Sequence, residues 1–173
     1  MNRRFLIVVA GATVLAACSC GSSPSDATAT PTAVVLDHCL VGTWKSTNIT
    51  GSITIAGSPV TLSGGAGEVI TIAATGAIRT DDSNTAALTG TAAGGSAYKL
   101  AQSGTATGTI SATRGRVAVK LDQPTTLTLT LSKDGAVVQS QHPGSATDSY
   151  TCAAGSSLVI TGGGGTVSTY APR

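Results

Sequence analysis

The chain has 173 residues and a net charge of +2, and only 10% of its residues are charged. Binding to nucleic acid or to anionic membranes depends on clustered Lys and Arg, so this near-neutral balance argues against both. The length is sufficient for one domain with a core of its own. Solubility must then come from Thr, Ser, Gly and Asn side chains rather than from charge.

The first 17 residues have the organisation of an export signal. An apolar run over residues 5–15 follows Arg3 and Arg4, and two small alanines come next. A run of about 11 residues fits the central region of a signal peptide and is too short to cross a bilayer. A short buried helix is the alternative, but no polar helical face accompanies the run. We therefore predict a signal peptide over residues 1–17.

The tetrapeptide Leu15-Ala16-Ala17-Cys18 resembles the lipobox of bacterial lipoproteins. The resemblance implies cleavage before Cys18, acylation of that cysteine with chains such as palmitate, and anchoring on the outer, extracytoplasmic side of the cell membrane. Each buried methylene contributes about 0.8 kcal/mol, so two or three acyl chains hold durably. The membrane is thus one expected partner, reached through Cys18.

Residues 18–37 are rich in Ser, Thr and Pro and lack any hydrophobic period. Such a composition is typical of a disordered linker. We predict a tether over residues 18–37 and one β-barrel domain over residues 38–173.

From Cys39 onward the sequence pattern is that of an all-β protein. The strongest alternation is in residues 125–131, where Leu127, Leu129 and Leu131 share one face and threonines the other. Asp134-Gly135 is a typical hairpin turn between two such runs. We predict a single antiparallel up-and-down barrel of about eight to ten short strands, with a β-sandwich as the alternative. Further alternating pairs are Val117/Val119, Ile53/Ile55, Ile70/Ile72, Tyr150/Cys152 and Leu158/Ile160.

Four cysteines are present, and three remain once Cys18 is assigned to lipid. Cys39 and Cys152 lie near the two ends of the folded region, so an oxidising compartment favours a disulfide between them. Closing a loop of that length contributes about 4–5 kcal/mol in the chain-entropy model. Cys20 is either a free thiol or an alternative partner for one of the two. No metal site is expected, because neither Cys-x-x-Cys nor paired histidines occur.

The tripeptide Gly42-Thr43-Trp44 resembles the opening motif of lipocalins and related calycin barrels. Together with Tyr150-x-Cys152, the segment from Cys39 to Trp44 also resembles a group of secreted bacterial lipoproteins with a lipocalin-like domain. The resemblance implies that Trp44 closes one end of the barrel and packs near a late basic residue, for which Arg173 is the candidate. The chain departs from lipocalins in having few aromatic residues, and eight strands can either fill their interior or enclose one small ligand.

No catalytic motif is evident. Nucleophilic catalysis needs an adjacent base, and His38 and His142 lie outside any known motif. Glycoside hydrolysis needs two facing carboxylates, whereas Glu68 is the one glutamate and Asp81-Asp82 is predicted to be a solvated hairpin tip. We expect a non-enzymatic protein with no catalytic residues and no cofactor.

These observations favour a binding module that holds a small apolar ligand or an envelope lipid within the barrel or at its mouth. The alternative is a structural lipoprotein that contacts another envelope component through exposed strands and loops. A void lined by Leu, Ile and Val favours the first function, and a filled barrel with an exposed apolar patch favours the second. The sequence indicates no oligomeric state.

Overall fold

The computed structural model describes residues 36–55 and 57–173. The predicted signal peptide, Cys18, Cys20 and the tether up to residue 35 lie outside the described residues. The described part contains thirteen strands and a 3₁₀ turn, Gly163–Gly165. Within it, no helix is both long and apolar enough to span a membrane. The strands are β1 (Gly42–Ile55), β2 (Ser58–Gly64), β3 (Val69–Ile72), β4 (Ala77–Asp81), β5 (Leu88–Thr91), β6 (Ala97–Ser103), β7 (Thr105–Thr113), β8 (Arg116–Leu121), β9 (Thr128–Lys133), β10 (Ala136–Gln141), β11 (Ala146–Ala153), β12 (Ser157–Thr161) and β13 (Val167–Pro172).

Eight of these strands close a barrel in the order β1-β3-β4-β7-β8-β11-β12-β13 and back to β1. Closure occurs at β1, where residues 42–45 pair with β3 on one edge and residues 44–50 pair with β13 on the other. Every pairing is antiparallel, and the strands follow chain order around the barrel. The predicted all-β, up-and-down barrel is confirmed, and the sandwich alternative is not adopted.

The remaining five strands form a second sheet region, which we call the wing: β2, β5, β6, β9 and β10. It extends from the second half of β1 in the order β1-β2-β5-β6-β9-β10. Its strands are insertions in the barrel meander, because β2 lies between β1 and β3, β5 and β6 between β4 and β7, and β9 and β10 between β8 and β11. The sequence predicts a single barrel, so the wing is an addition that the sequence analysis did not anticipate.

The barrel and the wing have separate apolar cores. The barrel core is the larger and contains three aromatic side chains. The wing core is a smaller cluster around one tyrosine. The buried barrel residues are Leu36, Leu40, Trp44, Ile70, Ile72, Ile78, Ile110, Val117, Tyr150, Leu158 and Tyr170. The buried wing residues are Ile49, Val60, Leu62, Leu88 and Tyr98.

The strongest predicted strand begins later than its alternation suggests. β9 starts at Thr128, and Leu127 is buried but lies outside the strand. The hydroxyl of Thr125 accepts a hydrogen bond from the Leu127 backbone N–H (3.1 Å) and donates one to the Thr105 carbonyl (3.2 Å). Such side-chain bonds replace the strand ladder locally.

The hairpin predicted at Asp134-Gly135 is confirmed. It joins β9 to β10, and the two residues have φ of 50° and 85°. Positive φ at both central positions is the type I′ geometry, which matches the right-handed twist of the flanking strands.

A disulfide joins Cys39 to Cys152, with the two Cα atoms 5.8 Å apart across 113 residues of sequence. This is the predicted pair. It ties the segment before β1 to β11. The same segment is held by Leu36, which is buried in the barrel core, and by Asp37, which accepts a hydrogen bond from the Tyr150 hydroxyl. Burial, with the nearby Asp37 charge, raises the pKa of Tyr150 to about 12.

Candidate functional site

The inward-facing side chains of several barrel strands change from apolar to polar toward one end of the barrel. Successive inward positions are two residues apart because side chains alternate along a strand. On β3 and the residue before it, Ile72 and Ile70 lead to Glu68, and on β11 Tyr150 leads to Asp148. The inward polar positions are Ser46, Glu68, Thr80, Asp82, Asp148 and Ser168.

The opposite end of the barrel is apolar and is occupied by Trp44. Its side chain is 2% exposed, and its Nε1 donates a hydrogen bond to the Leu40 carbonyl (2.9 Å). Arg173 is exposed, and its side chain lines a surface pocket with Lys45 and Asp81. The backbone of Arg173 contacts β1, because its N–H donates a hydrogen bond to the Thr43 carbonyl (3.0 Å). The structure thus places Trp44 in the core and the Arg173 guanidinium on the surface.

A cavity of about 250 Å³ opens at the polar end of the barrel and extends into its interior. Its mouth is bordered by residues in the segments that lead to and from the wing, such as Gln102, Leu127 and Gly144. One part of its wall is hydrophobic and the other carries hydroxyl and carboxyl groups. The apolar lining consists of Ile49, Ile70, Ile78, Val119, Leu121, Leu127 and Ile160. The polar lining consists of Glu68, Thr80, Asp148, Thr166, Ser168 and Tyr170, with Gln102 at the mouth.

Glu68 is the most perturbed acid in this wall. Its Oε2 accepts a hydrogen bond from the Tyr170 hydroxyl (2.9 Å). Burial raises the pKa of Glu68 to about 7, and the nearby charge of Asp82 adds to that rise, while the Tyr170 hydrogen bond opposes it. Burial and the Glu68 charge also raise the pKa of Tyr170 well above its ordinary value. A carboxyl shifted in this way within a cavity is typical of a functional site.

Asp82 lies close behind Glu68 and is only 3% exposed. Its Oδ1 accepts a hydrogen bond from the Thr85 hydroxyl (2.7 Å), and burial raises its pKa. The prediction of a solvated Asp81-Asp82 tip is therefore wrong for Asp82. The reason is the alternation of β4, because Ile78, Thr80 and Asp82 share the inward face.

Asp148 stands on the opposite wall from Glu68. β3 and β11 are four strands apart in either direction around the eight-stranded barrel. Neither Lys, Arg nor His is among the side chains that line the cavity. The cavity is thus amphipathic, and its ionisable groups are acidic or phenolic.

Neither histidine is among the cavity-lining residues, although His142 contacts Leu127 at the cavity mouth. His38 is exposed near the Trp44 end, and His142 is exposed with its Nδ1 2.7 Å from the Leu127 carbonyl oxygen. Across residues 36–55 and 57–173, no group of three or more His, Cys, Asp or Glu side chains is arranged to hold a metal ion.

A larger depression, about 580 Å³, lies along β7, β8 and the start of β11. Its lining is mainly the outward-facing residues of these strands, including Thr109, Ala118 and Thr147. Hydroxyl groups and Lys120 line it, but it has none of the carboxyl groups that line the barrel interior. We therefore place the candidate site in the interior cavity.

Sequence reasoning did not assign the interior acids a role, although the signal that locates them is present. Ile70 and Ile72 were predicted to share one face, and the same alternation extended by one step reaches Glu68. The pair Tyr150 and Cys152 extends in the same way to Asp148. Extending each alternating pattern beyond its apolar residues predicts that the carboxyl groups of Glu68 and Asp148 face the barrel interior.

No family model matches this chain, and comparisons with curated proteins and with solved structures found no significant similarity. Its likeness to lipoproteins and lipocalins stays a prediction from the motifs at Cys18 and Trp44.

Proposed function

We propose that this protein is a lipid-anchored, extracytoplasmic binding module that holds a small, largely apolar ligand inside its barrel. The observation that carries the proposal is the amphipathic cavity of about 250 Å³. Ligand sites in proteins are mostly apolar concavities with a few polar groups that fix orientation, which is the composition of this wall. The proposal includes no catalytic step.

The cavity volume limits the ligand. An apolar cavity of about 150 Å³ suffices to bind benzene, so 250 Å³ accommodates about ten non-hydrogen atoms. A whole two-chain lipid is several times larger. The part of the ligand inside the barrel is therefore a small molecule or a short segment of one alkyl chain, because the cavity is open at its mouth.

Anchoring is proposed through Cys18. We expect Cys18→Ala to abolish incorporation of a labelled fatty acid and to release the protein from the membrane fraction. The matched control is Cys20→Ala, two residues away, which keeps both the label and the location. Labelling that persists in Cys18→Ala, or that disappears in Cys20→Ala, contradicts the assignment.

Ligand binding can be measured with 1-octanol as a neutral probe. The readout is the fluorescence of Trp44, the single tryptophan, which packs beside the cavity-lining Ile70. We expect saturable binding of one molecule. Ala146→Phe should weaken binding because residue 146 lines the cavity, whereas Thr147→Phe adds the same ring at the neighbouring position, which lines the outer depression and not the cavity, and should not.

Two results would overturn the binding proposal. One is the absence of saturable 1-octanol binding to the unsubstituted chain. The other is equal binding by the Ala146→Phe and Thr147→Phe variants, which would place the probe outside the barrel.

A second candidate function rests on a different observation. β10 is the last strand of the wing, and all six of its residues are exposed. Two of them, Val137 and Val138, are the large apolar residues that are exposed among the described residues, at 65% and 55%. An uncharged free strand edge can pair with a strand of another protein. In this case the protein contacts another envelope component through β10.

Photo-crosslinking in the native envelope distinguishes this candidate. A photoreactive residue at Val138 should yield one discrete crosslinked species, whereas the same residue at exposed Thr147 on the barrel should not. Identical crosslinking patterns from both positions would exclude β10 as a specific contact.

A further inference from the structure

The ionisable side chains of the cavity constrain the charge of its ligand. Its two carboxyl groups, Glu68 and Asp148, stand on opposite walls, and no basic side chain lines it. Asp82 adds a third acidic group behind Glu68. An anionic ligand would face these groups without a positive partner, and like charges in a partly desolvated site repel strongly.

The hydrogen bonding of Glu68 shows where a ligand group fits. Within the described part of the chain, the Tyr170 hydroxyl is the one donor to this carboxyl, and it engages Oε2. Oε1 is left to a group in the cavity that Glu68 lines. Tyr170 thereby fixes the orientation of the carboxyl, and a donor from the ligand would complete its hydrogen bonds.

We infer that the ligand is a small primary amine on an apolar skeleton, with its ammonium group bound by Glu68, and that the barrel rejects fatty-acid anions. This inference rests on the proposed function and names the chemical class of its ligand. The ammonium lies against the polar wall formed by Glu68 and Tyr170. The skeleton lies against the isoleucine and leucine wall. Charge-assisted bonds of this kind are stronger than neutral ones because the charges are only partly solvated.

Burial and the nearby charge of Asp82 raise the pKa of Glu68 to about 7. An ammonium ion at Oε1 lowers this pKa because an adjacent positive charge favours the ionised carboxylate.

The test compares three probes that share an eight-carbon chain: octylamine, 1-octanol and octanoate. The protein is the full-length chain with Cys18→Ala, so that no acyl chain competes for the cavity, and with the Cys39–Cys152 disulfide formed. At neutral pH we expect octylamine to bind about tenfold more tightly than 1-octanol, in line with one charge-assisted hydrogen bond, and octanoate to bind most weakly.

Two variants assign the effect to Glu68. Glu68→Gln keeps an acceptor for the Tyr170 hydroxyl but removes the charge, so the tenfold preference for octylamine over 1-octanol should be lost. Asp122→Asn makes the same charge change at an exposed position outside the cavity and should alter neither affinity.

The outcomes separate the inference from the proposed function. If 1-octanol or octanoate binds at least as tightly as octylamine, or if Glu68→Gln leaves the octylamine preference intact, the amine assignment is overturned while the binding function stands. If none of the three probes binds, the binding function fails, and the amine assignment fails with it. The affinities of the three probes are compared in a protein whose cavity is unsubstituted, so this comparison does not depend on whether the Glu68→Gln variant folds.

Discussion

The barrel and the wing are built from the same kind of alternating strand, yet they differ in how they end. In the barrel each strand has a neighbour on both edges, and the inward face encloses a core with a cavity. The wing is an open sheet with a five-residue buried core, and it ends at the exposed strand β10. Closure removes free edges and creates an interior, whereas an open sheet leaves both an edge and an outer face to solvent.

The barrel and the wing also differ in the polar groups that they bury. The barrel buries Ser46, Thr80 and Asp82, whereas the fully buried positions of the wing core are apolar except for the hydroxyl of Tyr98. Ser46 and Asp82 satisfy their buried polar groups through hydrogen bonds to the Gly65 carbonyl and the Thr85 hydroxyl. The proposed ligand site lies in this polar part of the barrel.

The largest expected effect is loss of the disulfide, which cross-links the barrel and not the wing. Replacing Cys39 and Cys152 together by Ala should lower the free energy of unfolding by about 5 kcal/mol, because the bond closes a loop of 113 residues in the unfolded chain. Urea denaturation measures this change. Cys20→Ala should leave the midpoint unchanged, and a shift there would implicate Cys20 in the pairing.

Core truncation compares the two regions directly. Leu158→Ala in the barrel should cost about 4 kcal/mol and Leu88→Ala in the wing about 2–3 kcal/mol, although their side chains are 0% and 3% exposed. The difference arises because the smaller wing core can relax around the lost side chain. Denaturation curves of the two variants under identical conditions test it. A larger loss for Leu88→Ala would show that the wing is the more rigid region.

The pH dependence of stability should report Glu68. Its folded-state pKa of about 7 exceeds the ordinary 4.5, so the folded protein binds the proton more tightly than the unfolded chain. The protonation of Glu68 contributes up to about 3 kcal/mol to the free energy of unfolding. This contribution is fully present below pH 4.5 and is lost as the pH rises through 7.

Glu68→Gln removes this dependence, so the variant should gain stability relative to the parent protein as the pH rises from 5 to 8. Asp82 retains its own shift of the same sign, which leaves a residual slope. Chemical denaturation of both proteins at several pH values measures the profile. Parallel profiles for Glu68→Gln and the parent would mean that Glu68 is fully solvated.

The smallest effect is expected at the wing edge. Val138→Thr should change the free energy of unfolding by less than about 0.5 kcal/mol, because the side chain is already 55% exposed. Thermal denaturation can check this. A loss above 1 kcal/mol would indicate that β10 is covered in solution and would support the second candidate function.

Much of the strand content could be predicted because alternation is a local property. The alternating runs containing Ile70, Val117 and Leu158 all form barrel strands, and the hairpin at Asp134-Gly135 follows from its two residues alone. The cysteine pairing also followed from sequence, since Cys39 and Cys152 lie at the two ends of the folded region. The candidate site was less accessible, because a lone glutamate before a strand has no chemical signature until its neighbours are known.

The amino-acid sequence was enough to predict alternating antiparallel strands and the position of the Asp134-Gly135 turn, and it favoured the Cys39–Cys152 pair while leaving Cys20 as an alternative partner. The folded structure was needed to show which strands close the barrel and which extend into the wing, and that Glu68 and Asp148 line one cavity with Asp82 close behind Glu68. The physical reason is how far apart in the chain the interacting residues lie. Alternation and turn geometry depend on residues adjacent in the chain, whereas a cavity and the pKa of an acid within it depend on strands paired across many tens of residues.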